Sequence, residues 1–337
     1  MSTSRRPDPR VTIVVTQREI LGLTAKSLES LYTETDVPFS LIYVDSGSPP
    51  SVQSLLKREA RRRGFKVLRV HRYVPPNVAR DLSLAHVQTE FVVFIDNDIL
   101  FSSGWLQALI DCSDETGAAV VGPLYLELEG GKEKIHMAGG GISIEQRDGR
   151  RVFKDSHDHA HVEASATSIF ERRRVDFMEF HCLLVRTAEL RAVGGLDRRL
   201  LSLHEHIDLS MMLGENGHST YIEPSSVVIF EVPPPVERGE MSMFLRRWSE
   251  RWARKTLKHF GAKWKVRVAG PERFARSRRQ AALGSMIKRV SGLLGKRNRP
   301  RVERLVRGLE VLLNWLLIGR RVELHPEDRG LVEVAAP

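Results

Sequence analysis

A chain of 337 residues with 42% hydrophobic and 28% charged residues can hold one large domain with an appendage or two modest ones, and it is not a disordered composition. Its two cysteines, Cys112 and Cys182, each sit inside an apolar stretch, which excludes a disulfide framework and reads as reduced, buried thiols. The net charge of +10 is concentrated between Arg238 and Arg307, so this stretch is either a solvated helical face or a surface for an anionic partner.

Met1–Arg10 is polar and reaches the first strand without an apolar h-region, so no signal peptide is expected. The nearest approach to a membrane span is Val311–Ile318, which is too short and is interrupted by Asn314. The expected location is cytoplasmic, with any membrane contact made from the side, on the inner face.

Taken in order, the first two hundred residues alternate strand and helix signals, as βαβ units do. Val11–Val15 reads as a strand, Leu21–Tyr32 as a helix, Ser40–Val44 as a strand and Val52–Arg63 as a helix closed by Gly64. Lys66–Arg69 is a short strand, Asn77–His86 is helical, and Phe91–Ile95 has the β-branched and aromatic make-up of a buried parallel strand. A helix-like stretch, Gly104–Cys112, and a strand, Ala118–Leu126, follow. Glu127–Arg151 reads as hairpins and loops. Asp155–Ser168, with His157, His159 and His161, reads as a mobile loop. Its alternating histidines lack the spacing of a metal site.

Val175–Val185 resumes strand character, Thr187–Val193 is a short helix ended by Gly194-Gly195, and Leu203–Gly217 is a longer helix. Tyr221–Glu231 is a strand, and Pro233-Pro234-Pro235 marks a boundary between a domain at 1–235 and a basic helical region at 236–337. In that region Met241–Phe260 reads as one amphipathic helix. Its Phe244, Trp248 and Trp252 either pack on the main domain or lie at a membrane surface. Val302–Ile318 repeats the ambiguity.

Polar clusters recur where strands end: Thr16-Gln17-Arg18-Glu19, Asp45-Ser46, Asp96-Asn97-Asp98 and His204-Glu205-His206-Ile207-Asp208. The first three converge on one edge of a parallel sheet, the edge where open α/β sheets bind ligands. Two carboxylates at the end of a buried strand suit a divalent cation that also holds a diphosphate, although an Asp-rich turn would also stop the strand. No G-x-G-x-x-G follows the first strand and no P-loop is present, which argues against a dinucleotide dehydrogenase and a P-loop NTPase.

These pieces, with Asn77-Val78-Ala79-Arg80-Asp81 and Val193-Gly194-Gly195-Leu196-Asp197 at their separations, resemble the family 2 glycosyltransferases over roughly residues 11–235. The resemblance implies a GT-A fold, a Rossmann-like and mostly parallel sheet flanked by helices. It also implies transfer of a sugar, with inversion, from a nucleoside-diphosphate sugar to a saccharide or lipid-linked saccharide. Position by position, it implies that Thr16, Arg18 and Asp45 hold the base and ribose, that Arg80 serves the donor, and that Asp96 and Asn97 face the ribose and donor sugar. Asp98, with Asp96, would ligate Mg²⁺ or Mn²⁺. Glu205, His206 and Asp208 are the catalytic candidates. Glu205 stands ahead of His206 as general base, and Asp208 would cap or orient its neighbours.

Departures are visible too. Asp81 stands where the family has Asn, His206 where it has Asp, and Phe230-Glu231 where many members have a metal-binding histidine. A catalytically inactive scaffold or polyanion-binding protein is the alternative from another class. A nucleotidyltransferase fits less well, because residues 16–24 carry only one glycine. An anionic membrane surface is a candidate peripheral partner. Nucleic acid is not expected, since the basic region shows no stacking platform or recognition motif.

Overall fold

The computed structural model describes residues 8–18, 20–129, 131–160, 162–163, 170–201, 203–231, 239–268, 275–279, 299–314, 316 and 331–334. Glu19, His161, Pro233–Pro235 and most of the basic stretch between residues 273 and 301 lie outside them.

The chain begins with β1 (Val11–Thr16), α1 (Thr24–Thr33), β2 (Phe39–Ser46), α2 (Pro50–Arg63), β3 (Lys66–Val70), α3 (Pro76–Ser83) and β4 (Phe91–Asp96). Every residue of β1 and β4 is buried, which explains their unbroken runs of β-branched and aromatic side chains. Each fully buried Val, Ile, Leu or Phe contributes roughly 1.5–3 kcal/mol relative to exposure. Gly64 ends α2 with φ 76°, as a left-handed C-cap must, and Arg61–Arg63 complement the helix dipole there. The loop after β2 needs glycine for a different reason. Gly47 has φ +67°, and a Cβ there would stand 2.7 Å from the backbone of Arg72 and Tyr73.

Next come β5 (Ile99–Phe101), α4 (Trp105–Thr116), β6 (Val120–Glu129), β7 (Lys132–Met137), β8 (Gly140–Arg147), β9 (Arg150–His157), β10 (Arg173–Val175) and β11 (Cys182–Arg186). They are followed by α5 (Thr187–Ala192), α6 (Glu205–Glu215), β12 (Thr220–Glu231), α7 (Met241–Arg247), α8 (Glu250–Trp264), β13 (Arg267–Val268), α9 (Arg299–Leu313) and β14 (Leu331–Val334).

The main sheet runs β10-β12-β6-β11-β4-β1-β2-β3-β14. It is an α/β fold with a mixed sheet. The parallel pairing expected from the sequence holds for β3-β2-β1-β4, whereas β11 runs antiparallel to both β4 and β6, and β12 returns parallel to β6. The reversal at β11 has a consequence for the site. The start of β11 lies at the same edge as the ends of β1, β2, β4, β6 and β12, because Cys182 pairs with Ile95 and Thr16 with both Val44 and Asp96.

Three sequence expectations change. The Asp155–Ser168 loop is strand β9 as far as His157, held by an eight-residue register with β8 across an Asp148-Gly149 turn. Val175–Val185 is not one strand, since residues 176–181 break away between β10 and β11. Met241–Phe260 is two helices, because Ser249 accepts a bond from the Trp252 backbone N–H and caps a new helix.

The tryptophan stripe packs inward. Trp248 and Trp252 are buried, and Trp252 stacks on Tyr73 at 5.8 Å and 4°. Glu240 fastens the start of α7 to the loop after β1 by accepting from the Leu21 and Gly22 N–H groups at 2.6 and 3.0 Å. Helix α9 is oriented differently. Its Glu310 is buried against Arg279, and Asn314 just beyond it bonds Leu245 O, while Leu305, Leu309, Leu312 and Leu313 are exposed. Among the described residues no helix is long and apolar enough to cross a membrane.

Candidate functional site

The ends of β1 and β2 are joined by side chains. Gln17 accepts from the Ser46 N–H at 2.9 Å, and the Asp45 carboxylate accepts from Ser48 N–H, Ser48 Oγ–H and Arg69 at 3.1, 2.5 and 2.7 Å. Beyond them a cleft of about 330 Å³ runs from Leu21 and Ser46–Pro49 to Arg72, Tyr73, Met243 and Arg246. Asn97 acts within the fold. It accepts from Arg18 N–H and donates to Ile20 O and Thr24 Oγ1, which pins the loop after β1 to the end of β4.

Asp96 and Asp98 are 2% and 3% exposed. Asp96 Oδ1 accepts from Arg80 at 2.9 Å, and Oδ2 meets His181 Nδ1 at 2.9 Å and Arg18 Nε at 3.4 Å. Burial alone would raise this carboxyl, but Arg18, the His181 bond and Arg80 outweigh it and hold it well below the usual range. The Arg18 guanidinium lies over Phe230 and 3.9 Å from Asp98 Oδ2. It therefore stands against the acid pair, and Arg18 is not among the residues lining that cleft. Arg80 is buried, packs on Phe180 at 4.3 Å, and reaches Glu205 Oε1 at 3.8 Å with the guanidinium that holds Asp96. One arginine thus ties the acid at the end of β4 to the first residue of α6.

At α6, Leu203 and His204 have φ 108° and 59°. Two successive non-glycine residues in this region store strain of about 1–3 kcal/mol each, held by the packing around them. The result is that Glu205 turns back on its own entry, accepting from Leu203 N–H at 2.5 Å. His206 lies 5.4 Å from the Phe177 ring, and burial lowers its pKa, so it is neutral at pH 7. His204 is packed between Phe153 and Phe260, and burial lowers it to about 4. Asp208 is engaged by α8, where Trp264 Nε1 and Lys263 Nζ each donate to it at 2.8 Å. The Glu231 side chain lies outside the described set. Asp81 accepts from Leu196 N–H at 3.1 Å and pairs with Arg198, tying α3 to the Gly194-Gly195 loop.

The structure also assembles a group that sequence reasoning missed. His136, Glu179 and His181 bring one ligand atom each to within 4.8 Å of one another. The available signal was the pair Glu179 and His181, two polar residues inside an otherwise apolar run, where unpartnered burial is costly. Burial opposes charge on His136, yet Glu127 and Glu179 carry it up to about 9. A histidine raised from 6.5 contributes stability that is fully present below pH 6.5 and is lost as pH rises through 9. For protein kept metal-free with chelator, the loss between those limits is up to about 3 kcal/mol. Thermal melting of wild type against His136→Gln checks it, and only wild type should show the decline.

Comparison with known proteins bears on the fold and the family. Residues 12–173 match the family model described as glycosyl transferase family 2. The chain is similar to the pre-mycofactocin glycosyltransferase of Mycobacterium tuberculosis (strain CDC 1551 / Oshkosh), 25% identical over 45% of this chain and 29% of that one. It is also similar to the succinoglycan biosynthesis protein ExoM of Rhizobium meliloti (strain 1021), 29% identical over 32% of this chain and 36% of that one. It thus spans about a third of the length of these curated relatives. Among solved structures it resembles GalNAc-T7 with UDP, GalNAc and Mn²⁺, at TM-score 0.54 and 13% identity over 78% of this chain and 56% of that one. It also resembles the mannosyltransferase PcManGT from Pyrobaculum calidifontis in complex with GDP-Man and Mn²⁺, at TM-score 0.50 and 17% identity over 91% and 87%. These likenesses establish the GT-A fold. Residues 12–173, just under half of the chain, carry the match to glycosyl transferase family 2.

Proposed function

We propose that this protein transfers a glycosyl unit, with inversion, from a nucleoside-diphosphate sugar to a hydroxyl of a saccharide or lipid-linked saccharide. The observation that carries this reading is Arg80, whose guanidinium joins Asp96 on the donor side to Glu205 on the acceptor side. In this reading the nucleoside occupies the cleft beside Ser46–Pro49, with Asp45 and its Arg69 and Ser48 partners shaping the cleft's wall. The UDP and GalNAc of the GalNAc-T7 structure and the GDP-Man of the PcManGT structure support the choice of ligand class.

A divalent ion, Mg²⁺ or Mn²⁺, fits the chemistry of the acid pair. Arg18 already places positive charge against Asp96 and Asp98, and Asp98 would hold the ion, the role the resemblance gives it. When bound, such an ion supplies Lewis-acid stabilisation of the departing diphosphate. Glu205 accepts the proton of the acceptor hydroxyl as its oxygen bonds to the anomeric carbon. The bond from that carbon to the diphosphate breaks, and its electron pair leaves with the diphosphate. Attack from the face opposite the leaving group inverts the centre. Arg80 keeps Glu205 in register with Asp96, and Asp208 positions α6 against α8.

The test is a panel of UDP-, GDP- and dTDP-sugars with Mn²⁺, followed by thermal stabilisation and nucleoside-diphosphate release. One donor should raise the melting temperature and be turned over. Binding without any sugar release would favour the inactive-scaffold reading.

Membrane contact is assigned in this reading to α9. Its outward leucines are accompanied by exposed Arg301, Arg304 and Arg307, the combination that suits an anionic lipid surface. Sedimentation with vesicles containing anionic lipid should capture wild type, and capture should fall at least about tenfold for Leu305→Glu/Leu309→Glu, given roughly 1.5–3 kcal/mol per buried leucine. Equal capture of both proteins would reject it.

A further inference from the structure

We propose that His136, Glu179 and His181 form a binding site for a divalent transition-metal ion of the zinc type, distinct in its donor set from the Asp96–Asp98 pair. The mechanism above uses none of the three. They come from separate places in the chain, and the fold aims each one.

His136 lies at an irregularity of β7. Tyr125 pairs with Met137 and Leu126 with Ile135, so His136 falls between pairs as a bulge, a device that redirects one side chain of a strand. Glu179 and His181 occupy the break between β10 and β11. Tyr125 holds that break with its hydroxyl 2.6 Å from both Glu179 O and Cys182 O, and Asp96 N–H donates to His181 O at 3.1 Å.

The ligand atoms are spaced as an ion requires. Glu179 Oε2 lies 3.0 Å from His136 Nε2 and 3.1 Å from His181 Nε2. Ligands at about 2.0–2.1 Å in tetrahedral geometry are about 3.3–3.4 Å apart, so only small adjustments are needed. Each imidazole also has a carboxylate on its other nitrogen. His181 Nδ1 meets Asp96 Oδ2 at 2.9 Å, and His136 Nδ1 meets Glu127 Oε2 at 3.6 Å. At His181 this carboxylate–histidine–metal pattern favours the tautomer that leaves Nε2 as a ligand, while at His136 the longer separation places a carboxylate behind the ring.

Arg18 also approaches His181 Nδ1 at 2.9 Å. The ionised Asp96 is the stronger partner for an Nδ1–H, and Arg18 itself pairs with Asp96. His157 stands behind Glu179, with Nε2 3.7 Å from Oε1. The three side chains are 11–17% exposed, so the cluster can be reached from solvent. Two imidazoles and one carboxylate favour zinc and its transition-metal neighbours over Mg²⁺, which prefers oxygen ligands.

The experiment uses full-length protein without a histidine tag, freed of metal by chelator, and titrates it with ZnCl₂ in a calorimeter with no sugar donor present. Wild type should take up one equivalent, and a large excess of Mg²⁺ should not displace it. His136→Ala and Glu179→Gln should each weaken uptake by roughly 100-fold or more, at least the loss typical of outer partners. Asp98→Asn should bind within a few-fold of wild type. Wild type that takes up no zinc overturns the proposal and leaves a pair of histidine–carboxylate bridges. Natively folded His136→Ala and Glu179→Gln that bind as wild type overturn it too. Should the variants not fold, Cu²⁺-loaded wild type decides by pulsed electron paramagnetic resonance. Two coupled imidazoles support the site, and one or none overturns it.

Discussion

Glu205→Gln is expected to lower glycosyl transfer by about 10²–10⁴-fold, the usual worth of a positioned general base. Binding of the nucleotide sugar should stay within a few-fold of wild type, because among the described residues Glu205 reaches Asp96 through Arg80. The substitution is nearly isosteric, and the amide oxygen can still accept from Leu203 N–H, so the fold should be kept. Loss of an interaction made only in the transition state lowers kcat and kcat/KM together. The rival base is His206, which burial keeps neutral at pH 7 and therefore able to accept a proton. Steady-state kinetics of both single variants separate them. If His206→Gln loses more than Glu205→Gln, the proton goes to the imidazole.

Arg80→Ala is expected to cost about 3–5 kcal/mol of stability, since it strands buried carboxylates without their partner. Asp96 retains Arg18 and His181, which places the expected loss toward the lower end. The contact with Phe180 at 4.3 Å is lost as well. At roughly 2–4 °C per kcal/mol for a domain of 150–250 residues, the melting temperature should fall by about 6–12 °C. Arg80→Met, which fills the space without charge, should recover part of the packing but none of the transfer activity. A melting curve for Arg80→Ala that overlays wild type would mean that the guanidinium bridge contributes nothing to the fold.

Much of the sheet edge at the candidate site was legible because it follows from strand chemistry. Apolar runs that stop at Thr16, Asp45 and Asp96 announce parallel strands whose ends share an edge, and the register of β1 with β2 and β4 brings those residues together. What side chains do at that edge was less legible. Asn97 staples a loop, Arg18 covers the acids, and Asp208 faces α8, because partners distant in sequence decide each orientation. The His136–Glu179–His181 group could not be read at all from spacing. It depends on a bulge in β7 and on the reversal of β11, and neither has a local sequence signature. The break between α7 and α8 was readable in principle, since Ser249-Glu250 is a helix start inside what looks like one amphipathic period.

The central claim is that the edge formed by β1, β2 and β4 binds a nucleoside-diphosphate sugar with a divalent ion at Asp98. Calorimetric titration of wild type and Asp98→Ala with the turned-over donor, with and without Mn²⁺, tests it most directly. The account predicts Mn²⁺-dependent binding by wild type and loss of that dependence in a folded Asp98→Ala. Donor binding that is indifferent to Mn²⁺, or that responds to it equally in both proteins, would contradict it.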